Sequence, residues 1–140
     1  MPLDYRLHGF PMKLTIEMKA RAEKAHELDQ TLHALLPAIR SEKGCRACRV
    51  CRDLENSGIF FLEVDWDARA SLEQFLQSLR GGALLGAIDL LGESARAKVG
   101  NDVWEGMETL KKIRKPEKNM GRGRAGVSPG LPALKKSKPK

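Results

Sequence analysis

Apolar and polar residues alternate from residue 13 to residue 20, which predicts a β-strand with one buried face. From residue 22 to residue 39 the apolar residues recur at helical spacing instead, which predicts an amphipathic helix. Pro37 lacks an amide donor and should kink this helix near its end. Gly44 should then terminate it.

Two further strands are predicted at residues 45–53 and 59–66. The segment between them contains Asn56, Ser57 and Gly58, which are residue types that favour tight turns. The two strands should therefore form an antiparallel hairpin.

The remainder of the chain predicts two helices, a strand and a last helix. Asp67 is suited to cap the first helix, whose apolar face should hold Leu72, Phe75, Leu76 and Leu79 and which Gly81-Gly82 should interrupt. A short apolar helix at residues 83–91 and a strand at residues 94–99 follow. The apolar positions of the last helix are Val103, Met107, Leu110 and Ile113. The order βαββαβ plus a terminal helix predicts an α+β, ferredoxin-like domain.

The positive charge of the chain is concentrated at its C-terminus. Residues 111–140 contain eleven Lys and Arg and one acid, whereas the whole chain has a formal net charge of +7, so the remainder is slightly acidic. From residue 115 the sequence is rich in Gly and Pro and poor in large apolar residues, which predicts a basic, disordered tail at 115–140. Such a tail either binds polyanions weakly and without sequence preference or only aids solubility.

The length and composition predict one folded domain at residues 12–114, preceded by an extension at residues 1–11. Met12 stands at the start of the periodic pattern and is an alternative first residue. No apolar run approaches the ~18 residues of a membrane span, and an acid at Asp4 is atypical of a secretory signal. These features favour a cytoplasmic protein without membrane association.

Several short motifs, taken in order, resemble the antibiotic biosynthesis monooxygenase family, from about residue 13 to residue 114. The resemblance rests on the Gly44-Cys45 step, the Val50-Cys51-Arg52-Asp53 strand end, the Glu63 and Trp66 pair and Leu72 in the next helix. Residues 84–91 and 105–108 resemble one branch of the same family.

The resemblance implies a face-to-face homodimer, known as a dimeric α/β barrel, and oxygenation of an aromatic substrate without metal or flavin. It also implies an apolar pocket between the sheet and the helices. The strand faces and helix positions that would line it are Leu14, Ile16, Met18, Leu62, Val64, Trp66, Leu72, Phe75 and Leu79, with Arg80 at the rim. Trp66 is the residue most suited to contact an aromatic ligand, because its ring can stack and its indole N–H can donate. The alternative is that Trp66 only fills the core.

Some positions depart from the active members of the family. Met18 stands where heme-degrading relatives carry an asparagine, and residues 67–100 contain no histidine, so heme ligation is not expected. Phe75 occupies the region where many aromatic-oxygenating relatives have a histidine. No general base is evident, and Glu63 should face away from Trp66, where Arg52 is one of several cross-strand partners open to it.

Neither the histidines nor the cysteines predict a metal site, and no cofactor is expected. His26 and His33 lie seven residues apart on the first helix and are interpreted as surface residues. Cys45, Cys48 and Cys51 have the C-x2-C-x2-C spacing of iron–sulfur proteins, but the fourth cysteine is missing. On a regular strand, Cys48 should point away from the other two, so three free thiols are expected.

Two functions remain open from the sequence. The first is a cofactor-independent monooxygenase that oxidises a quinol or related aromatic with dioxygen. The second is a non-catalytic dimeric module that binds a small ligand or acts in stress, because a fold does not fix a function. In both cases a homodimer is expected, since Ile59 and Phe61 would otherwise leave an apolar sheet face exposed.

Overall fold

The computed structural model describes residues 11–100 and 103–114 of the 140-residue chain. The helices are α1 (Ala25–Arg40), α2 (Arg69–Gln77), α3 (Leu79–Leu91) and α4 (Glu108–Arg114). The strands are β1 (Met12–Ala20), β2 (Cys45–Arg52), β3 (Ile59–Trp66), β4 (Gly92–Val99) and β5 (Glu105–Gly106). The expected tail at 115–140 and nearly all of the expected extension at 1–11 lie outside the described residues.

The strands form one antiparallel sheet in the order β2-β3-β1-β4-β5. The first four strands and the helices between them confirm the predicted ferredoxin-like βαββαβ order, with α4 as the terminal helix. The two-residue strand β5 pairs with β4 and was not predicted, because two residues carry no periodic signal. Within one chain the sheet stays open.

One face of the sheet packs on the helices and forms the core. β1 lies at its centre, and Ile16 is opposite Leu62 of β3 on one side and Ala97 of β4 on the other. Helix α1 contributes Leu28 and Leu32 to this core. The largest side chains with less than 2% exposure are Trp66, Phe60, Phe75, Leu14, Ile16, Met18, Leu28, Leu32, Ile39, Leu62, Leu72 and Leu76.

The other face of the sheet, here called the open face, is more polar than expected. Ile59 and Phe61 lie on it as predicted, and both are half-buried. Ion pairs surround them, with Arg96 Nη2 2.7 Å from Glu17 Oε1 across β4 and β1. Trp104 covers part of β4, because the Arg96 and Lys98 side chains lie 4.3 and 4.8 Å from its ring centroid.

The break between α2 and α3 differs from the prediction. The chain turns at Ser78, which ends α2 and caps α3 by accepting a hydrogen bond from the Gly81 amide, at 3.1 Å. Gly81 and Gly82 therefore lie inside α3 and do not interrupt a helix. The same turn moves Leu79 out of the core, so that it is 89% exposed.

Arg114, at the end of α4, contacts the chain at the break between α2 and α3. Arg114 Nη1 donates to the carbonyl oxygens of Leu76 and Ser78, at 2.8 and 2.7 Å. Carbonyl groups at a helix end have no partner within the helix, so a cation there is favourable. Helix α4 is thereby held against α2 and α3.

Two glycines of α3 should respond to alanine in opposite directions. At Gly81 an added Cβ would meet the Phe75 carbonyl oxygen and lie 2.9 Å from Leu76 Cα, so Gly81→Ala should lower the free energy of unfolding by about 2 kcal/mol or more. At exposed Gly86 nothing lies within 4 Å, so Gly86→Ala should raise it by about 0.5–1 kcal/mol. Urea unfolding of both variants measures the two changes, and a loss in both would contradict the described path of α3.

Candidate functional site

Trp66 ends β3 in a position that buries both its ring and its indole nitrogen. The side chain is 0% exposed, and its ring centroid lies 5.3 Å from that of Phe75. Met12 of β1 and Cys45 of β2 flank it in the sheet register. Trp66 Nε1 is buried and has no hydrogen-bond partner among the described residues. Such a donor costs about 1–3 kcal/mol unless a ligand or water accepts from it.

A cavity of about 510 Å³ borders Trp66 at the end of the sheet where β1 begins and β3 and β4 end. Its size is that of a small-ligand site. We call it the tryptophan cavity. It is lined by Pro11, Met12, Lys13, Arg46, Asp65, Trp66 and Gly100.

This location differs from that of the expected pocket between the sheet and the helices. Of the residues predicted to bind substrate, Trp66 borders the tryptophan cavity and the others do not line it. Close packing explains the difference, since apolar side chains that meet across a sheet and its helices fill the space between them. The predicted lining residues that instead belong to the packed core, at 0–1% exposure, are Leu14, Ile16, Met18, Leu62, Val64, Leu72 and Phe75.

The two remaining predicted residues lie on the surface. Leu79 is 89% exposed at the start of α3. Arg80 forms an ion pair with Glu42, with Nη1 3.1 Å from Oε2, and does not line the tryptophan cavity. Both residues lie in the first turn of α3, directly after the break at Ser78.

The charged groups of the tryptophan cavity come from residues that the sequence reasoning did not select. Lys13 Nζ lies 3.8 Å from Asp65 Oδ1, and both side chains are about half exposed. Alternation along β3 places Asp65 on the open face, whereas Trp66 points to the other face of the sheet. For this reason the sequence alone does not indicate that Asp65 lies at the same site as Trp66. The sequence feature that could identify Asp65 is its position at the end of the strand, because side chains from both faces can line a cavity there.

The surroundings of Glu63 agree with an interface or surface role. Its Oε1 lies 2.7 Å from Arg49 Nη2 on the open face. Arg52, one of the cross-strand partners considered for it, instead pairs with Asp29 of α1, at 3.1 Å. The arginine that reaches Glu63 is the one directly opposite it in the register of β2 and β3.

A β-bulge changes the expected arrangement of the cysteines. The register of β2 against β3 shifts between Cys45 and Ala47, so Arg46 is an extra residue. Cys45 and Cys48 consequently lie on the same, helix-facing side, whereas Cys51 is exposed on the open face. The prediction that Cys48 points away from Cys51 is correct, and the prediction that it points away from Cys45 is wrong.

Cys45 and Cys48 line a second cavity of about 340 Å³, which we call the thiol cavity. Its other lining residues are Arg40, Arg46 and Ala47. Burial raises the pKa of Cys45, and burial raises the pKa of Cys48 to about 12. Both groups are therefore neutral thiols near pH 7.

Within residues 11–100 and 103–114, no three His, Cys, Asp or Glu side chains are grouped to hold a metal ion. His26 and His33 are both exposed on α1, as interpreted from the sequence. His33 Nδ1 lies 2.7 Å from Asp29 Oδ1, and hydrogen bonding to Asp29 raises the pKa of His33. None of the helices in the described part of the chain has the length and apolar character needed to cross a membrane.

The sequence model of the family described as antibiotic biosynthesis monooxygenase matches residues 11–80. The matched segment includes β1, the hairpin of β2 and β3, Trp66 and the bulge at Arg46. No functionally curated protein matches the chain.

Solved structures with low sequence identity share the fold. A Pseudomonas aeruginosa protein is 21% identical, with a TM-score of 0.62 over 69% of this chain and 97% of its own. A conserved Methanosarcina mazei protein is 18% identical, with a TM-score of 0.62 over 71% of this chain and 99% of its own. A Deinococcus radiodurans protein, named as a candidate antibiotic biosynthesis monooxygenase, is 24% identical, with a TM-score of 0.60 over 66% of this chain and 92% of its own.

The cysteines should differ sharply in their rate of alkylation. With its pKa near 12, about one Cys48 thiol in 10⁴ is ionised at pH 8, and only the thiolate reacts. Iodoacetamide at pH 8, followed by peptide mass spectrometry, should modify exposed Cys51 first and Cys48 only after unfolding in urea. Similar rates at Cys48 and Cys51 in the folded protein would show that Cys48 is not buried.

Proposed function

Because this chain belongs to the antibiotic biosynthesis monooxygenase family, we propose that it is a cofactor-independent monooxygenase that oxidises a quinol or related aromatic with dioxygen. The observation that carries the proposal is that Trp66, whose buried Nε1 has no hydrogen-bond partner among the described residues, lines a cavity with charged groups. A phenolic oxygen in the tryptophan cavity would supply the acceptor that this donor lacks.

The reaction draws its electrons from the substrate. After loss of a hydroxyl proton, the electron-rich ring passes an electron to dioxygen, and a new C–O bond forms at a ring carbon. That carbon exchanges its hydrogen for a hydroxyl group, the two original hydroxyl groups become the carbonyl groups of a hydroxyquinone, and the second oxygen atom leaves as water. The ring supplies all four electrons that reduce dioxygen. The protein supplies orientation, a proton acceptor and stabilisation of the phenolate.

The residues of the tryptophan cavity suit these three tasks. The Trp66 ring provides an apolar wall and its Nε1 donates to the phenolate oxygen. The Asp65 carboxylate is the proton acceptor, a role left unfilled by the sequence alone. Lys13, 3.8 Å from Asp65, adds positive charge beside the forming phenolate.

A homodimer joined through the open faces completes the proposal. Ile59 and Phe61 form a small apolar centre on that face, with Cys51 beside Phe61 across β2 and β3. The ion pairs around this centre would form the polar rim typical of protein interfaces. The family resemblance supports the same face-to-face pairing.

The second candidate function is a dimeric module that binds a small ligand without turnover. One observation favours it: the Asp65 and Lys13 side chains are 46% and 49% exposed, so solvent screens both groups. A general base is usually tuned by burial. Binding through Trp66 would remain in this case, and oxygen consumption would be absent.

Oxygen consumption with 1,4-dihydroxynaphthalene tests the proposed activity. The wild-type rate should exceed the enzyme-free rate. Asp65→Asn should lower kcat by about 10²-fold or more, the usual loss for a general base. Trp66→Phe should lower kcat/KM by about 10-fold or more, because the charge-assisted hydrogen bond from Nε1 to the phenolate oxygen is lost.

Glu63→Gln is the matched control, because Glu63 lies two residues before Asp65 on the same face and pairs with Arg49. It should keep the wild-type rate. A wild-type rate equal to the enzyme-free rate would contradict the enzymatic proposal. Equal losses in Glu63→Gln and Asp65→Asn would contradict the role of Asp65.

The dimer is tested by sedimentation of the Phe61→Glu variant. A buried, unpaired carboxylate at the centre of the open face should convert a wild-type dimer into monomer at micromolar concentration. Leu90→Glu is the control, because Leu90 is 72% exposed on α3, away from the open face. It should leave the dimer intact, and a monomeric wild type would overturn the proposed pairing.

A further inference from the structure

Arg46 occupies an unusual position for a charged side chain. It is the extra residue of the β2 bulge, and bulges re-aim side chains near binding sites. It lines both the tryptophan cavity and the thiol cavity, and so marks their boundary. Among the arginines of the described residues, it alone has a side chain with neither a hydrogen bond nor an ion pair within that part of the chain.

Arg40 places a second guanidinium group at the thiol cavity. It is the last residue of α1, and its Nε donates to the Cys48 carbonyl oxygen at 3.0 Å. This bond orients the side chain and leaves its terminal nitrogens without a carboxylate partner among the described residues. The α1 C-terminus and the bulge thus bring two cations to one small cavity.

The nearby negative charges are already neutralised by other residues. Asp65 pairs with Lys13, and Glu42 pairs with Arg80. The thiols of Cys45 and Cys48 carry no charge near neutral pH, because burial raises the pKa of both. Among the described residues that line it, the thiol cavity therefore has two cations and no anion.

We propose that the thiol cavity is an anion subsite, and that the ligand is a hydroxylated aromatic that bears a carboxylate. This deepens the proposed function, on which it rests for the position of the ring. The ring occupies the tryptophan cavity, and the carboxylate extends past the boundary to Arg46 and Arg40. A guanidinium group presents two parallel donors that match the two carboxylate oxygens.

The preference for a carboxylate is measurable with two stable probes of the same ring system. In isothermal titration calorimetry on the full chain, 1-hydroxy-2-naphthoate should bind about tenfold more tightly than 1-naphthol. Arg46→Met should remove this preference, so that the two probes bind with equal affinity. Arg46→Lys should keep part of the preference for the carboxylate probe. In wild type, 0.5 M salt should reduce this preference, because screening weakens a partly exposed ion pair.

Arg21→Met is the matched control, because it also removes one positive charge but lies beyond the opposite end of β1. It should keep the tenfold preference. Arg40→Met should lower the preference, and circular dichroism should show each variant to be folded.

Equal affinities of the two probes for wild type would overturn the anion subsite and leave the monooxygenase proposal in place. A preference that survives in both Arg46→Met and Arg40→Met would overturn the assignment to these residues. Tight naphthoate binding without oxygen consumption would support the subsite and overturn the enzymatic proposal.

Discussion

The register of β1 between β3 and β4 is the constraint on which the rest of the structure depends. Leu14, Ile16 and Met18 all have 0% exposure on the helix-facing side, and each such burial contributes about 1.5–3 kcal/mol. A slip of one residue would turn these three toward the open face and bring lysines into the core. The same register sets Met12 opposite Trp66, so the site depends on it as well.

Much of the fold could be predicted from the sequence because its periodic signals are long. The alternation that ends in Ala20 and the helical stripe that includes Leu28 and Leu32 specify strand and helix without reference to the rest of the chain. The break at Ser78 could not be placed in this way. Paired glycines are a strong local signal for interruption, but a serine cap and the contacts of Arg114 decide where the chain turns.

The site was harder to predict than the fold. The sequence singles out Trp66, which borders the tryptophan cavity, because a bulky aromatic residue with a polar group is conspicuous at a strand end. Asp65 and Arg46 were missed for a common reason, which is that strict alternation assigns each residue to one face. At the end of a strand, side chains from both faces can line one cavity, as Asp65 does. At a bulge the alternation is broken, as at Arg46. Both exceptions can be recognised only when the pairing of neighbouring strands is known.

The edges of the sheet have a consequence for the behaviour of the protein at high concentration. β2 is an outer strand, and it carries Arg46, Arg49 and Arg52 along its length as well as the bulge. β5, at the other edge, offers only two residues for pairing. Positive charge, an irregular backbone and short length each oppose the addition of a further strand from another molecule. The sheet is thus protected against edge-to-edge growth into fibrils.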